Sequence, residues 1–148
     1  SEAGLRVLEQ AAARAQDAEL TLRNQIERNL TQVQYQSGDV QLAIDGMRAA
    51  SARVERERPD SSLLVANLIN LGQFEAAAGL ETAADTLTRA FEMSGRINGA
   101  DHPHTLLAGM TNVTTLSARG DYSAAVALGE DLTARVSRVF GDPSAHYA

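Results

Sequence analysis

The side chains that could carry chemistry in this sequence are few and widely spaced. His102 and His104 are the one close histidine pair, and the chain contains no cysteine. Zinc sites on helices usually place two histidines one turn apart beside a third ligand, and this pair has neither that spacing nor a cysteine to complete a site. No glycine-rich phosphate loop, nucleophile elbow or catalytic carboxylate pair is recognisable. The sequence therefore predicts no enzyme, no cofactor and no metal site; a hydrolase assembled from distant helices stays an alternative that no residue supports.

The elements that would position any site are organised by a glycine turn that recurs every 41 residues. Gly38, Gly79 and Gly120 each separate two stretches in which apolar residues are spaced by three and four. A helix, glycine turn and helix repeated at this length are typical of an α-solenoid. A small residue also recurs five positions after each glycine, at Ala43, Ala84 and Ala125. Alanine in that column predicts close packing between the two helices of each unit.

The apolar spacing predicts seven helices and no strand. Leu5, Leu8, Ala12 and Ala15 share one face, which predicts a separate N-terminal helix over residues 1–16. Asp17 is expected to cap the next helix. The apolar stripe of that next helix is Leu22, Ile26, Leu30 and Val33, and the stripe of the helix before Gly120 is Leu106, Met110, Val113 and Leu116. Both stripes are expected to face the core.

Two motifs resemble a known family. The pattern Asn-Leu followed by Gly-Asp-x-x-x-Ala, and the segment Ala-Asp-His-Pro-His-Thr-Leu over residues 100–106, are similar to tetratricopeptide repeats. The resemblance is to the longer repeat found in kinesin light chains and in many bacterial regulators, and it covers roughly residues 17–141. Together with the glycine period it predicts an all-α, right-handed α-solenoid of about three helix-turn-helix units, preceded by the helix at 1–16.

The unit boundaries follow from the linkers between the helix pairs. We expect units at residues 17–59, 60–100 and 101–141 within one domain that covers residues 1–148. Because patterned sequence reaches both ends, we expect the chain to be part of a longer bacterial, cytoplasmic protein.

The resemblance also implies a binding surface. In tetratricopeptide arrays the first helix of each unit lines the concave face, and the asparagine that matches Asn29 and Asn70 resembles one that hydrogen-bonds a bound peptide. The expected site residues are Gln25, Arg28, Asn29, Gln32, Tyr35, Asn70, Gln73, Thr111 and Thr114. The alternative is that these amides only bond neighbouring helices to each other.

Composition limits the partners. The net charge is −6 and all 13 basic residues are arginine, which argues against a general nucleic-acid binder. No apolar run of 18 residues is present, so no membrane partner is expected. The alternating charges of Glu55, Arg56, Glu57 and Arg58 are interpreted as a solvated face.

Two functions are compatible with the sequence. The first is a non-catalytic module that binds a protein or peptide, possibly another domain of its own parent chain. The second is a ligand- or peptide-sensing regulatory domain of a larger signalling or transcriptional regulator. Apolar faces at the two ends, near Leu5 and Leu8 and near Val136 and Val139, also predict a homo-oligomer.

Overall fold

A computed structural model of the chain describes residues 1–141, so residues 142–148 of the predicted domain lie outside it. Its helices are α1 (Glu2–Gln36), α2 (Val40–Glu57), α3 (Ser62–Ala77), α4 (Thr82–Asn98), α5 (Pro103–Ala118) and α6 (Tyr122–Phe140). Each helix packs against the next, and α3 also contacts α1 and α5. The described range contains no strand, which confirms the all-helical prediction. Within that range no helix combines the length and the apolar character needed to cross a bilayer.

The predicted glycine turns close α1, α3 and α5 in the same way. Gly38, Gly79 and Gly120 have positive φ angles of 97°, 71° and 81°. The residue after each glycine donates its N–H to the carbonyl oxygen five positions earlier, as Asp39 does to Gln34 at 2.9 Å. A side chain would strain this left-handed conformation, so the chain reverses direction where glycine stands.

The prediction of a separate helix over residues 1–16 is wrong, and the described range has six helices instead of seven. Helix α1 runs unbroken from Glu2 to Gln36 because the sequence around Asp17 contains no glycine or proline and is rich in helix-forming residues. Asp17 caps nothing; its carboxylate accepts from the Arg58 guanidinium, with Nη2 and Oδ1 2.8 Å apart. Two residues of the charged run at the end of α2 therefore form ion pairs: Arg58 with Asp17, and Glu55 with Arg89 of α4.

The predicted core stripe of α1 faces solvent. Leu22, Ile26, Leu30 and Val33 are between 54% and 63% exposed. Helix α1 instead buries Leu20, Asn24 and Thr31. Thr31 contacts α2 at Gly46, where an added β-carbon would lie 2.9 Å from the threonine methyl group. Residue spacing identified an apolar face correctly, but it could not show that α2 and α3 approach from the opposite side.

Helices α2 and α3 bury rows of apolar side chains. Ala43, Met47, Ala50 and Val54 of α2 are buried, as are Leu64, Leu68 and Leu71 of α3. The alanine column is confirmed: Ala43, Ala84 and Ala125 are all buried.

Helix α5 departs from its predicted stripe. Its buried residues are Thr105, Ala108, Gly109, Asn112 and Thr115. Met110 is 59% exposed, and Leu106, Val113 and Leu116 are only partly buried. Small side chains face α4 and α6 here because these helices come close to α5, which leaves the larger residues at the edges of the contact.

Glycine sets the distance between helices at two further contacts. A β-carbon on Gly72 of α3 would lie 2.5 Å from Cγ of Leu87 in α4. One on Gly109 of α5 would lie 2.7 Å from Cδ2 of Leu132 in α6. Both leucines are buried, so each occupies the space that the missing side chain leaves.

One buried polar contact links the first two helix pairs. Asn24 of α1 and Asn67 of α3 exchange two side-chain hydrogen bonds: the Asn24 amide donates at 3.1 Å and the Asn67 amide donates at 2.7 Å. These two residues are 1% and 0% exposed. Amides that bond neighbouring helices are thus present, but at positions other than Asn29 and Asn70.

Gly72→Ala should lower the free energy of unfolding by about 1–3 kcal/mol, because the new methyl group overlaps Leu87. Gly129→Ala is the matched control: it is also inside a helix, but nothing lies within 4 Å of its added β-carbon. That variant should gain about 0.5–1 kcal/mol from the removal of a flexible glycine. Thermal and urea unfolding would measure both; equal effects at the two sites would show that the close approach at Gly72 is wrong.

Asn67→Leu should destabilise the fold by about 1–3 kcal/mol, since it leaves the buried Asn24 amide without its partner. Replacing both residues by leucine removes the unsatisfied group and should recover most of that loss. A double-mutant cycle by urea unfolding measures the coupling. Strictly additive losses would contradict the paired amides.

Candidate functional site

A groove crosses α1, α3 and α5 on the face where the first helices of the three pairs lie side by side. It encloses about 420 Å³, and its lining residues are Tyr35, Gln73, Ala76, Ala77, Met110, Thr111, Thr114 and Thr115. We call it the first-helix groove. Four of the nine predicted site residues line it: Tyr35, Gln73, Thr111 and Thr114.

Tyr35 stands at one wall of the first-helix groove. It lies in the last turn of α1, directly before the Gly38 turn. Its ring stacks on Phe74 of α3, with centroids 4.9 Å apart and planes inclined by 29°. Phe74 is buried, so this stack fixes the tyrosine against the core while the other ring face stays half-exposed.

Helix α5 forms the opposite wall with one apolar and three hydroxyl side chains: Met110, Thr111, Thr114 and Thr115. Thr111 Oγ1 donates to the Leu107 carbonyl at 2.9 Å, and Thr114 Oγ1 donates to the Met110 carbonyl at 3.3 Å. With their protons used inside the helix, both hydroxyl oxygens can still accept a hydrogen bond from a ligand. Met110 also lines the groove and is 59% exposed.

Gln25 and Asn29 lie away from the first-helix groove. Both are exposed, and the Gln25 amide donates to Asn29 Oδ1 at 3.0 Å. Asn29 precedes Tyr35 by six residues, which turns it about 120° around the helix axis. Gln25 lines a separate depression beside Leu22 and Arg58. The structure thus places these two amides on the outward side of α1.

Arg28, Gln32 and Asn70 are half-buried on or near the groove side of their helices. Arg28 lies two turns before Tyr35 on the same side of α1, and Asn70 lies one turn before Gln73. Burial lowers the pKa of Arg28, because a less hydrated site disfavours the charged guanidinium. Its Nε atom is buried and has no hydrogen-bond partner among the described residues. Arg28, Gln32 and Asn70 together extend the polar surface beyond the groove along α1 and α3.

Sequence reasoning missed part of the lining and one buried acid. Met110 was assigned to the core by its spacing, and the groove alanines carry no signal that separates them from packing alanines. Glu75 of α3 is 2% exposed; it accepts hydrogen bonds from Thr82 and Thr86 of α4, and Arg48 of α2 lies 3.9 Å away. Because its partners come from α2 and α4, this carboxylate holds three helices together.

The histidine pair forms the start of α5. His102 Nδ1 accepts from the backbone N–H of His104 at 3.1 Å, which caps the helix. The two rings meet edge to face, with centroids 5.1 Å apart. Across residues 1–141, no group of three or more His, Cys, Asp or Glu side chains is placed to hold a metal ion.

Comparison with known proteins adds no relative from which a function could be transferred. No family model matches the chain, and no curated protein is significantly similar to it in sequence.

Proposed function

We propose that this chain is a non-catalytic interaction module that binds an extended peptide segment in the first-helix groove. The observation that carries the proposal is that one groove is lined by residues from three different helices, among them Tyr35, Gln73 and Thr114. A surface that crosses three parallel elements suits a ligand that is itself elongated.

The chemistry of the lining fits a peptide. The Gln73 amide offers both a donor and an acceptor, as a peptide group does. Tyr35 and Met110 supply an aromatic and a flexible apolar surface for a ligand side chain. Pockets for small molecules usually enclose most of their ligand, whereas Met110, Thr114 and Ala77 of this groove are exposed.

The repeated turns support the architecture that this function needs. Three identical glycine turns, and contacts that link α1 to α3 and α3 to α5, are what a tetratricopeptide-like solenoid would have. We infer three units, formed by the pairs α1–α2, α3–α4 and α5–α6. A right-handed superhelix would place the first-helix groove on its concave side.

The double variant Gln73→Ala/Met110→Ala tests the proposal. It removes a hydrogen bond worth about 0.5–1.5 kcal/mol and an apolar contact worth about 1 kcal/mol or more, so peptide affinity should fall by on the order of tenfold to a hundredfold. Peptides would be selected from a random displayed library on the wild-type protein, and their affinity for each variant would be measured by fluorescence anisotropy.

The matched control is Gln41→Ala/Leu42→Ala, which removes the same kinds of group from the exposed side of α2. It should bind the selected peptides with wild-type affinity, and thermal melts should show both double variants folded. Equal weakening by the two double variants, or a library that yields no binder, would reject the groove as the binding site.

A further inference from the structure

The outward face of α1 carries large apolar side chains that are mostly exposed to solvent. Leu5, Leu8, Leu22, Ile26 and Val33 are between 58% and 69% exposed. They lie on one side of a single continuous helix, opposite the side that packs on α2 and α3. We call this row, from Leu5 to Val33, the outer stripe.

The period of the outer stripe specifies the kind of partner that fits it. Its positions alternate in steps of three and four residues over four heptads. The small residues Ala12 and Ala15 belong to its first half, and its polar members are Glu19 and Asn29. A narrow stripe with a period of 3.5 residues is the seam of a coiled coil, whose partner is another helix.

The first half of α1 has the shape of a free helical arm. Every residue from 2 to 19 is exposed, and the first buried residue is Leu20. A helix approaching the outer stripe therefore meets no obstruction from the rest of the described chain along this half.

The size of the outer stripe matches what a stable pair needs. Its five large side chains can remove roughly 600–1,200 Å² of apolar surface from water over two copies. The upper end of this figure reaches the lower limit of specific interfaces, about 1,200–2,000 Å², before the flanking alanine and glutamine side chains are counted.

We propose that α1 pairs in antiparallel orientation with α1 of a second copy of this chain, through the outer stripe. In the register centred on Asp17, Leu8 faces Ile26 of the second copy and Ala12 faces Leu22 of the second copy. Ala15 faces Glu19 of the second copy, so both alanines of the seam meet longer side chains. A parallel pair would stack Ala12 on Ala12 and Glu19 on Glu19, which leaves a gap and opposes like charges.

The charges beside the outer stripe agree with the antiparallel register. Glu9 of one copy flanks Arg23 of the second, and the two-fold symmetry repeats this pair. The Arg23 side chain is 58% exposed, so it can reach a second carboxylate besides Glu27 of its own helix. The pairing is independent of the proposed peptide binding, because the outer stripe and the first-helix groove lie on different sides of α1.

Sedimentation equilibrium on the 148-residue chain tests the association. The wild type should be a dimer at micromolar concentration, and Ile26→Glu should raise the dissociation constant at least tenfold while circular dichroism shows a folded protein. Leu42→Glu, an equally exposed apolar site on α2, and Val126→Glu, on the open face of α6, should leave the dimer intact. A monomeric wild type, or a dimer that is lost with Val126→Glu and kept with Ile26→Glu, would overturn the proposal.

Single cysteines test the orientation, because the natural chain has none. Ala18→Cys lies next to the two-fold axis, so the two thiols are offset by about 3 Å along the helices, whereas the thiols of Ala11→Cys are offset by about 18 Å. Both sites are exposed alanines one heptad apart. A short bis-maleimide should link Ala18→Cys and fail to link Ala11→Cys. Equal cross-linking at both sites would show a parallel pair, and none at Ala18→Cys would exclude this interface.

Discussion

The close approach of α3 to α4 is the constraint on which the rest of the structure depends. Leu87 occupies the volume that a side chain at Gly72 would fill, and Gly109 and Leu132 repeat the arrangement between α5 and α6. Helices packed this closely need small residues at the contact, which explains why alanine, glycine and threonine dominate the buried face of α5. The larger apolar residues are displaced to the edges, and Met110 reaches the first-helix groove for this reason.

The elements that depend on local sequence were predictable. The three glycine turns need a residue that adopts positive φ, and glycine recurs there at a constant interval. The buried rows of α2 and α3 were predictable because both helices have neighbours on each side. The helix boundary predicted at Asp17 is wrong, because α1 continues through this residue. An aspartate can cap a helix, but it does not interrupt one without a glycine, a proline or a competing contact.

The site was harder to predict because its geometry is set by packing between helices that are distant in sequence. Sequence spacing placed Asn29 and Tyr35 on one surface, although the helix turns them apart and only Tyr35 reaches the groove. Asn24 and Asn67, which form the buried amide pair, are separated by 43 residues. They are therefore not equivalent positions of a 41-residue period. The same reasoning assigned Leu22, Ile26 and Val33 of the outer stripe to the core, because periodicity reports that a face is apolar and not what covers it.

The long α1 joins two segments with very different tertiary support. From Leu20 onward the helix is held by α2 and α3, through contacts such as the Asn24 pair and the Arg53–Glu27 ion pair. Before Leu20 every residue is exposed, and the contact with α2 is that of Arg58 with Asp17. The preceding turns depend on their own backbone hydrogen bonds, and a helix of that length without neighbours is marginal in water. In a single copy, amide hydrogen exchange along α1 would change from fast to protected within one or two turns, so this continuous helix would behave as two cooperative units.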